Sequence, residues 1–512
     1  MTIVNSIINW INYKRIYEID LYREHAQDIQ QEVLFNLLHS AKGTEWGEKY
    51  KYGSTKTWEC YKENVPVSRY ESIEPLIHRM VQGEKNVLWP GVVKWFAKSS
   101  GTTNAKSKFI PVSKESLDDC HFRGGKDVLA IYYHNNPGAS LLSGKSLTLG
   151  GSHQLANPTD KAYYGDLSAI MIENLPFWTD FHRTPPTEIA LISEFEEKIA
   201  QITKTALHTN VTSLAGVPSW FLVLLHYVLD YTGKSDITEI WPNLELFVHG
   251  GVSFEPYKEQ YKRLIPSAKM HYLETYNASE GFFAIQNDPE STDMLLMLDY
   301  GVFYELILAG HTEEEHPVTI PLWEVELGVN YAMVISTNGG LWRYLIGDTL
   351  VFTSKNPYKI RITGRTKHFI NAFGEEIIID NAERAIKAAC DATGAIISDY
   401  TAGPIFMTES QSKGAHQWLI EFTELPDEMI RFTAILDQEL QNLNSDYEAK
   451  RHRNATLEMP HVLAVCKGTF LQWMRERGKV GGQNKVPRLS NNREFLDSLL
   501  EIHTDMELKL QR

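Results

Sequence analysis

The sequence predicts an α/β fold, with a large mixed α/β N-terminal domain followed by a smaller α+β C-terminal domain. Three observations carry this. The chain has 512 residues, more than one hydrophobic core normally serves. As far as Arg365, short apolar and β-branched runs alternate with helical stretches, and the middle of the chain is dense in hairpin-like strand pairs. Near Ile360-Arg-Ile-Thr-Gly-Arg365 the pattern shifts to a helix–strand–strand–helix–strand order that can close a small domain of its own. The expected division is 1–365 for the large domain, 366–374 for a hinge and 375–512 for the small domain.

The first element is a helix from about Asn9 to Ala41, with Ile16, Leu21, Ile29, Val33, Leu34, Leu37 and Leu38 at three- and four-residue steps. Ile73 to Val81 is amphipathic and stops at Gly83. Val92 to Ala97 reads as a buried strand, and Phe109 to Val112 resumes it beyond a polar turn. Ser113 to Tyr133 reads as a helix, with Ser113 and Ser116 as cap candidates and Glu115, Asp118 and Asp119 in its first turns. Ser146 to Gly150 is a short strand running into Gly150-Gly151-Ser152, a tight turn first and a ligand loop second.

Helices follow over Phe195 to His208 and Pro218 to Tyr231, the second almost wholly apolar. Leu244 to His249 and Met270 to Thr275 read as strands, with a helix over Glu255 to Leu264 between them. Phe282 to Ile285, Met294 to Leu298 and Val302 to Leu308 continue the sheet. Thr337-Asn-Gly-Gly340 is a hairpin signal between Tyr331–Ser336 and Leu341–Tyr344. In the small domain, helices are expected over Asn381 to Ala392 and Asp427 to Asn442, with strands at Ile396 to Tyr400, Trp418 to Phe422 and Val462 to Val465.

The formal net charge of −15 argues against a nucleic-acid partner, which needs Lys and Arg to neutralise phosphates. Cys60, Cys120, Cys390 and Cys466 lie far apart with no C-x-x-C pair, so neither a disulfide framework nor a zinc site is indicated. Free thiols in a reducing cytosol are the simplest account. Met1 to Tyr13 makes a poor signal peptide and is too short to span a bilayer, so no membrane partner and a cytoplasmic location are expected.

Ser99-Ser-Gly-Thr-Thr103 sets four hydroxyls and a glycine between two strands. Such a turn can offer a phosphate chain backbone N–H and side-chain O–H donors, and it can equally be an ordinary hairpin turn. It is not the common P-loop, whose G-x-x-x-x-G-K-[ST] spacing is absent. Tyr276-Asn-Ala-Ser-Glu280 follows a strand, where Tyr276 could stack on a base and Glu280 could bind Mg²⁺. Arg343-Tyr-Leu-Ile-Gly-Asp348 places Asp348 where a carboxylate could hold ribose hydroxyls. Taken singly, Glu280 and Asp348 also read as solvated turn residues beside glycine.

Jointly and in this order, the three motifs resemble those of the acyl acid amido synthetases, the auxin-responsive promoter protein family within the adenylate-forming, luciferase-like superfamily. Val65-Pro-Val67 with Tyr70, Gly251-Val-Ser-Phe-Glu-Pro256, Ile362-Thr-Gly-Arg-Thr-Lys367 and Gly482-Gln-Asn-Lys-Val-Pro-Arg488 support the likeness. The resemblance implies a large adenylation domain of luciferase-like type and a mobile C-terminal domain. It implies ATP, with Ser99, Ser100, Gly101, Thr102 and Thr103 on its β- and γ-phosphates. Tyr276, Ser279 and Glu280 would lie near the adenine and the Mg²⁺ region, Asp348 on the ribose with Arg365, Lys367 at the hinge, and Lys485 as the catalytic lysine.

The implied reaction is attack of a carboxylate on the α-phosphorus, giving acyl-AMP, then transfer to an amino acid amine. Transfer to coenzyme A or another thiol is the alternative, and a nucleotide-binding protein without turnover is a third reading. For the acid, Ser213, Leu214, Ala215, Val217, Pro218, Trp220, Phe221 and Gly251 are pocket candidates, although core packing explains the apolar ones at least as well. His153 follows and His249 precedes a glycine pair, and each reads either as a substrate contact or, more commonly, as a structural histidine.

Overall fold

The computed structural model describes residues 13–100, 107–151, 162–176, 179, 181–251, 254, 257–365, 369–375, 377–408, 413–452, 456–476 and 487–510, with backbone alone at 99, 100, 107, 195, 219, 365, 369, 380, 509 and 510. Its centre is a 12-stranded sheet. In spatial order the strands are Thr319–Pro321, Val302–Leu308, Asn330–Thr337, Tyr344–Lys355, Tyr358–Arg365, Met294–Leu296, Gly281–Ile285, His271–Ala278, Leu246–Gly250, Val211–Gly216, Lys145–Leu149 and Arg183–Thr184. The first eight pair antiparallel. From His271–Ala278 onward the remaining pairings are parallel.

The central parallel strands Val211–Gly216 and Leu246–Gly250 are mostly buried, whereas Lys145–Leu149 alternates half-buried polar residues with the buried Leu147 and Leu149. The helix Pro218–Thr232 covers them, with Pro218 at its first turn and Gly233 (φ +68°) closing it in the left-handed region. The N-terminal helix Tyr22–Ala41 is stitched to the antiparallel half by buried Gln30. Its amide donates to Leu298 O (2.7 Å) and Val302 O (3.0 Å) and accepts from Tyr304 N (2.9 Å).

Trp95–Ser100 and Ser107–Val112 pair antiparallel, so the expected hairpin around the hydroxyl-rich turn is present. Tyr163–Gly165 adds to the other side of Trp95–Ser100 in parallel. The expected helix after Ser113 begins as a wide turn, Ser116–His121, before the regular helix Phe122–Asn135. Ser113 Oγ accepts from Ser116 N at 2.9 Å and caps it, whereas Ser116 itself is buried inside.

Two motifs expected in loops are strand residues. Tyr276 to Ala278 end the strand His271–Ala278, leaving Ser279 and Glu280 as the turn into Gly281–Ile285. Tyr344 to Asp348 open the strand Tyr344–Lys355. Leu341 to Arg343 are not a strand, because Arg343 adopts φ +43° and breaks the extended run.

After Tyr358–Arg365 the large sheet ends. Phe369–Ile370 pairs with Ile377–Ile378, and Ile396–Ile405, Ala415–Glu424 and His461–Val465 form a separate three-stranded sheet. Against it pack the helices Ile379–Thr393 and Met429–Leu443. One apolar cluster joins Phe247 of the large sheet and Phe221 of the helix covering it to Phe373, Trp418 and Leu436. Tyr257 Oη to Ala372 O (2.9 Å) and Gln260 Nε2 to Met407 O (2.6 Å) cross the same boundary. Among the described residues no helix is long and apolar enough to cross a membrane.

Candidate active site

Four neighbouring parallel strands end at one place, and each delivers small residues there: Leu149-Gly150-Gly151, Gly216-Val217, Gly250-Gly251 and Ala278-Ser279. A cavity of about 1010 Å³ opens beyond these carboxyl ends, where open α/β sheets bind their ligands. Two glycines are required by close approach. A Cβ on Gly151 would lie 1.9 Å from Asp166 Oδ2, and one on Gly250 would lie 2.4 Å from Thr275 O. The opposite wall comes from the C-terminal region, from Asn371 and Gly374 and from the helix Ser445–Arg451. Arg451 pins that helix by binding Asp437 through Nε (2.7 Å) and Nη2 (2.6 Å).

The second and third motifs meet. Tyr276 Oη donates to Asp348 Oδ2 at 2.6 Å, and both residues are buried. Three strands separate theirs in the sheet order. At about 4.8 Å per strand a flat sheet would hold them roughly 19 Å apart, so the sheet curls until the two face each other. Asp348 is therefore not a solvated turn residue. Arg365 stands opposite it in the antiparallel register.

The strand bearing Asp348 is anchored by Arg343. Its guanidinium spans Glu305 through Nε and Nη2 (both 3.0 Å), and it also binds Thr319 Oγ1 (2.6 Å), Lys62 O (2.9 Å) and Val65 O. The strand that leads to the first motif runs beside the cleft. Lys98, immediately before Ser99, lines the cavity, as do Tyr164 and Gly165 of the adjoining strand.

Two lysines that motif reading passed over face this cavity. Lys198 is 2% exposed and donates to Gly150 O (3.2 Å) and Gly151 O (3.1 Å). Burial pushes its ammonium down to about 8, with Asp166 opposing the shift and Lys450 adding to it. The signal for it is a lysine set within the apolar stripe of the helix Phe195–Ala206, beside Ile199 and Ile202. Lys450 reaches from the C-terminal wall to 4.4 Å above the Trp220 ring, a cation–π distance. Trp220 Nε1 in turn donates to Phe373 O at 3.2 Å.

Of the acid-pocket candidates, Val217, Trp220 and Gly251 line the cavity with Ser213 and Ala215. Phe221 does not. It is fully buried against Phe247, ring centroids 5.2 Å apart, on the side of its helix facing the sheet. His249 lines the cavity with its Nδ1 unpartnered among the described residues, and burial pushes its imidazole down to about 3, leaving it neutral at pH 7. Ser279 lines the cavity, whereas Tyr276, Glu280 and Asp348 stand behind the lining. Gly101, Thr102, Thr103, His153, Lys367 and Lys485 lie outside the described residues, as do the side chains of Ser99, Ser100 and Arg365.

Comparison with known proteins agrees with this architecture. The GH3 family N-terminal domain matches residues 15–270, its central domain 295–365 and its C-terminal domain 380–494. Indole-3-acetic acid-amido synthetase GH3.4 of Arabidopsis thaliana is 22% identical, with 93% of this chain and 91% of that one covered. The 4-substituted benzoates-glutamate ligase GH3.12 of the same plant is 21% identical over 93% and 95% of the two chains. Jasmonoyl--L-amino acid synthetase JAR4 of Nicotiana attenuata is 22% identical over 75% and 76%.

Among solved structures, the GH3.15 acyl acid amido synthetase in complex with 2,4-DB superposes with TM-score 0.62 at 18% identity, covering 95% of each chain. A 2-hydroxyisobutyryl-CoA ligase in complex with 2-HIB-AMP and CoA superposes with TM-score 0.56 at 11% identity, covering 94% of this chain and 92% of that one. The fold is mixed α/β, with a large N-terminal and a smaller C-terminal domain, and resembles that of these two enzymes. The chain belongs to the GH3 family. The family and fold type expected from the three motifs are borne out.

Proposed function

We propose that this protein is an ATP-dependent acyl acid amido synthetase, which activates a carboxylic acid as its acyl-adenylate and passes the acyl group to an amino acid. The relatives' names, amido synthetases and ligases of carboxylic acids with amino acids, support the reaction class. The observation that carries the reading within this chain is the Tyr276–Asp348 hydrogen bond, which assembles two of the three motifs beside a cleft of nucleotide size.

In the first step a carboxylate oxygen bonds to the α-phosphorus of ATP, the bond to the β-bridging oxygen breaks, and pyrophosphate leaves. Both reactants are anions, so fixed positive charge and donors are the main requirement. Ser99, Ser100, Gly101, Thr102 and Thr103 serve as the pyrophosphate cradle. Asp348 holds the ribose, oriented by Tyr276, with Arg365 beside it. Lys485 supplies charge at the α-phosphate, and Lys367 belongs to a hinge at 366–374 between a domain of 1–365 and one of 375–512.

Ser279 lines the cavity and Glu280, next in the turn, carries a carboxylate, the hard oxygen donor that Mg²⁺ takes. Mg²⁺ held there would offset phosphate charge. In the second step an amine nitrogen bonds to the acyl carbon, AMP leaves, and the amine releases a proton. Val217, Trp220 and Gly251 form the apolar side of the acid pocket. A cytoplasmic location is supported by four cysteines that are all free thiols.

The test is to incubate the protein with ATP, Mg²⁺ and a panel of aryl and alkyl acids, with amino acids or coenzyme A as acceptor, and to weigh the product. An amide of acid and amino acid is the expected mass. A thioester would replace the acceptor, and no product with any acid would reject the reaction.

A further inference from the structure

On the face of the C-terminal domain formed by its last helix, a second cluster of ligating side chains stands outside the cleft. The helix Glu494–Leu510 sets His503 and Glu507 one turn apart on one face, and the turn after the strand His461–Val465 brings Cys466 against them. One donor atom from each of the three lies within 4.8 Å of the others, the one such trio among the described residues. His503 Nε2 and Glu507 Oε1 are 3.7 Å apart, too long for a hydrogen bond. That separation is close to the ~3.3–3.6 Å between neighbouring nitrogen and oxygen donors on a tetrahedral ion with bonds of ~2.0–2.2 Å. The imidazole is 7% exposed and the carboxylate 54%, so a rigid ligand sits inside and an adjustable one at the mouth.

We propose that Cys466, His503 and Glu507 bind a thiophilic divalent cation, with Zn²⁺ the match to one sulfur, one nitrogen and one oxygen donor. Three protein ligands leave a fourth position for water. On binding, the Cys466 thiol releases its proton to solvent as the metal–sulfur bond forms. Nε2 supplies its lone pair and the ring proton resides on Nδ1, so the 3.3 Å contact from Cys466 N to Nδ1 is given up in exchange. The ion ties the strand-end turn to the terminal helix, 37 residues further along the chain. The site is separate from the nucleotide cleft and does not depend on the proposed reaction.

The test titrates the full-length, metal-free protein with Zn²⁺ and, as a spectroscopic probe, Co²⁺. One equivalent should bind per chain, with a thiolate-to-cobalt charge-transfer band and a rise in melting temperature with free Zn²⁺. Glu507→Gln changes an exposed side chain, keeps the fold and should weaken binding at least ~10-fold. Cys466→Ser should abolish the band, and Cys60→Ser should retain it. Binding without the band, unchanged affinity in Glu507→Gln, or no uptake of either ion at micromolar concentration would overturn the proposal.

Discussion

The Tyr276 hydroxyl donates 2.6 Å to Asp348 Oδ2, although their strands are separated by three others in the sheet. The curl that makes this contact is what converts two distant sequence motifs into one wall beside the cleft. Tyr276→Phe removes the donor while keeping the ring against Phe283, 4.9 Å away between centroids. A hydrogen bond to a charged group contributes about 1.5–3 kcal/mol. Because the bond is already made without nucleotide, the variant should lose folding stability of about that size, read as a lower melting temperature, and, with Asp348 no longer oriented, show a KM for ATP raised roughly 10-fold. An unchanged KM for ATP would separate Asp348 from nucleotide binding.

Arg343 is the strut of the Asp348 strand, and its partner Glu305 is 1% exposed. Arg343→Met leaves that carboxylate buried and unpaired, which costs about 3–5 kcal/mol. Chemical denaturation should show the loss, and Arg343→Lys should recover only part of it, because an ammonium lacks the planar fork.

Lys198 has a pH signature. Its folded value is pushed from 10.5 to about 8 by burial. Between those values the unfolded chain binds more protons, so stability rises as pH climbs from about 8 towards 10.5, and below about 8 the cost of the buried charge is fully present. Lys198→Met should therefore be more stable than wild type at pH 7, by up to ~3 kcal/mol, with the difference shrinking above pH 8. Its activity should fall at every pH, since the carbonyls of Gly150 and Gly151 lose their tether. A variant that is less stable at pH 7 would show that the tether outweighs the buried charge.

Trp220 and Phe221 are neighbours with different tasks. Phe221→Ala should cost about 3–5 kcal/mol of stability and leave acid preference unchanged. Trp220→Ala should shift preference among acids and loosen the contact with Phe373 and Lys450, measured as kcat/KM ratios across an acid panel.

The contrast between Trp220 and Phe221 also shows where sequence reading stops. Within the helix Pro218–Thr232 the run Trp220-Phe-Leu-Val-Leu-Leu225 is apolar at every position, so the pattern there does not mark which side meets the cavity. The order of the three motifs was legible because each holds several chemically specific residues in a row. The Tyr276–Asp348 bond was not, since it depends on how far a sheet curls rather than on local propensity. Asn277, Ala278, Ser279 and Glu280 carry turn chemistry, and only pairing with Gly281–Ile285 places the first two in a strand. Lys198 and Lys450 carry no motif, and their meaning comes from the domain surfaces that enclose them.

Acid-dependent exchange of labelled pyrophosphate into ATP tests the central claim most directly, because it requires the adenylate and nothing of the acceptor. The wild type should exchange only when its acid is present, and Ser100→Ala with Thr102→Ala should lower that rate at least ~10²-fold without changing the melting temperature. Exchange that no acid supports, or a double variant that keeps the full rate, would contradict an adenylating enzyme built around this loop.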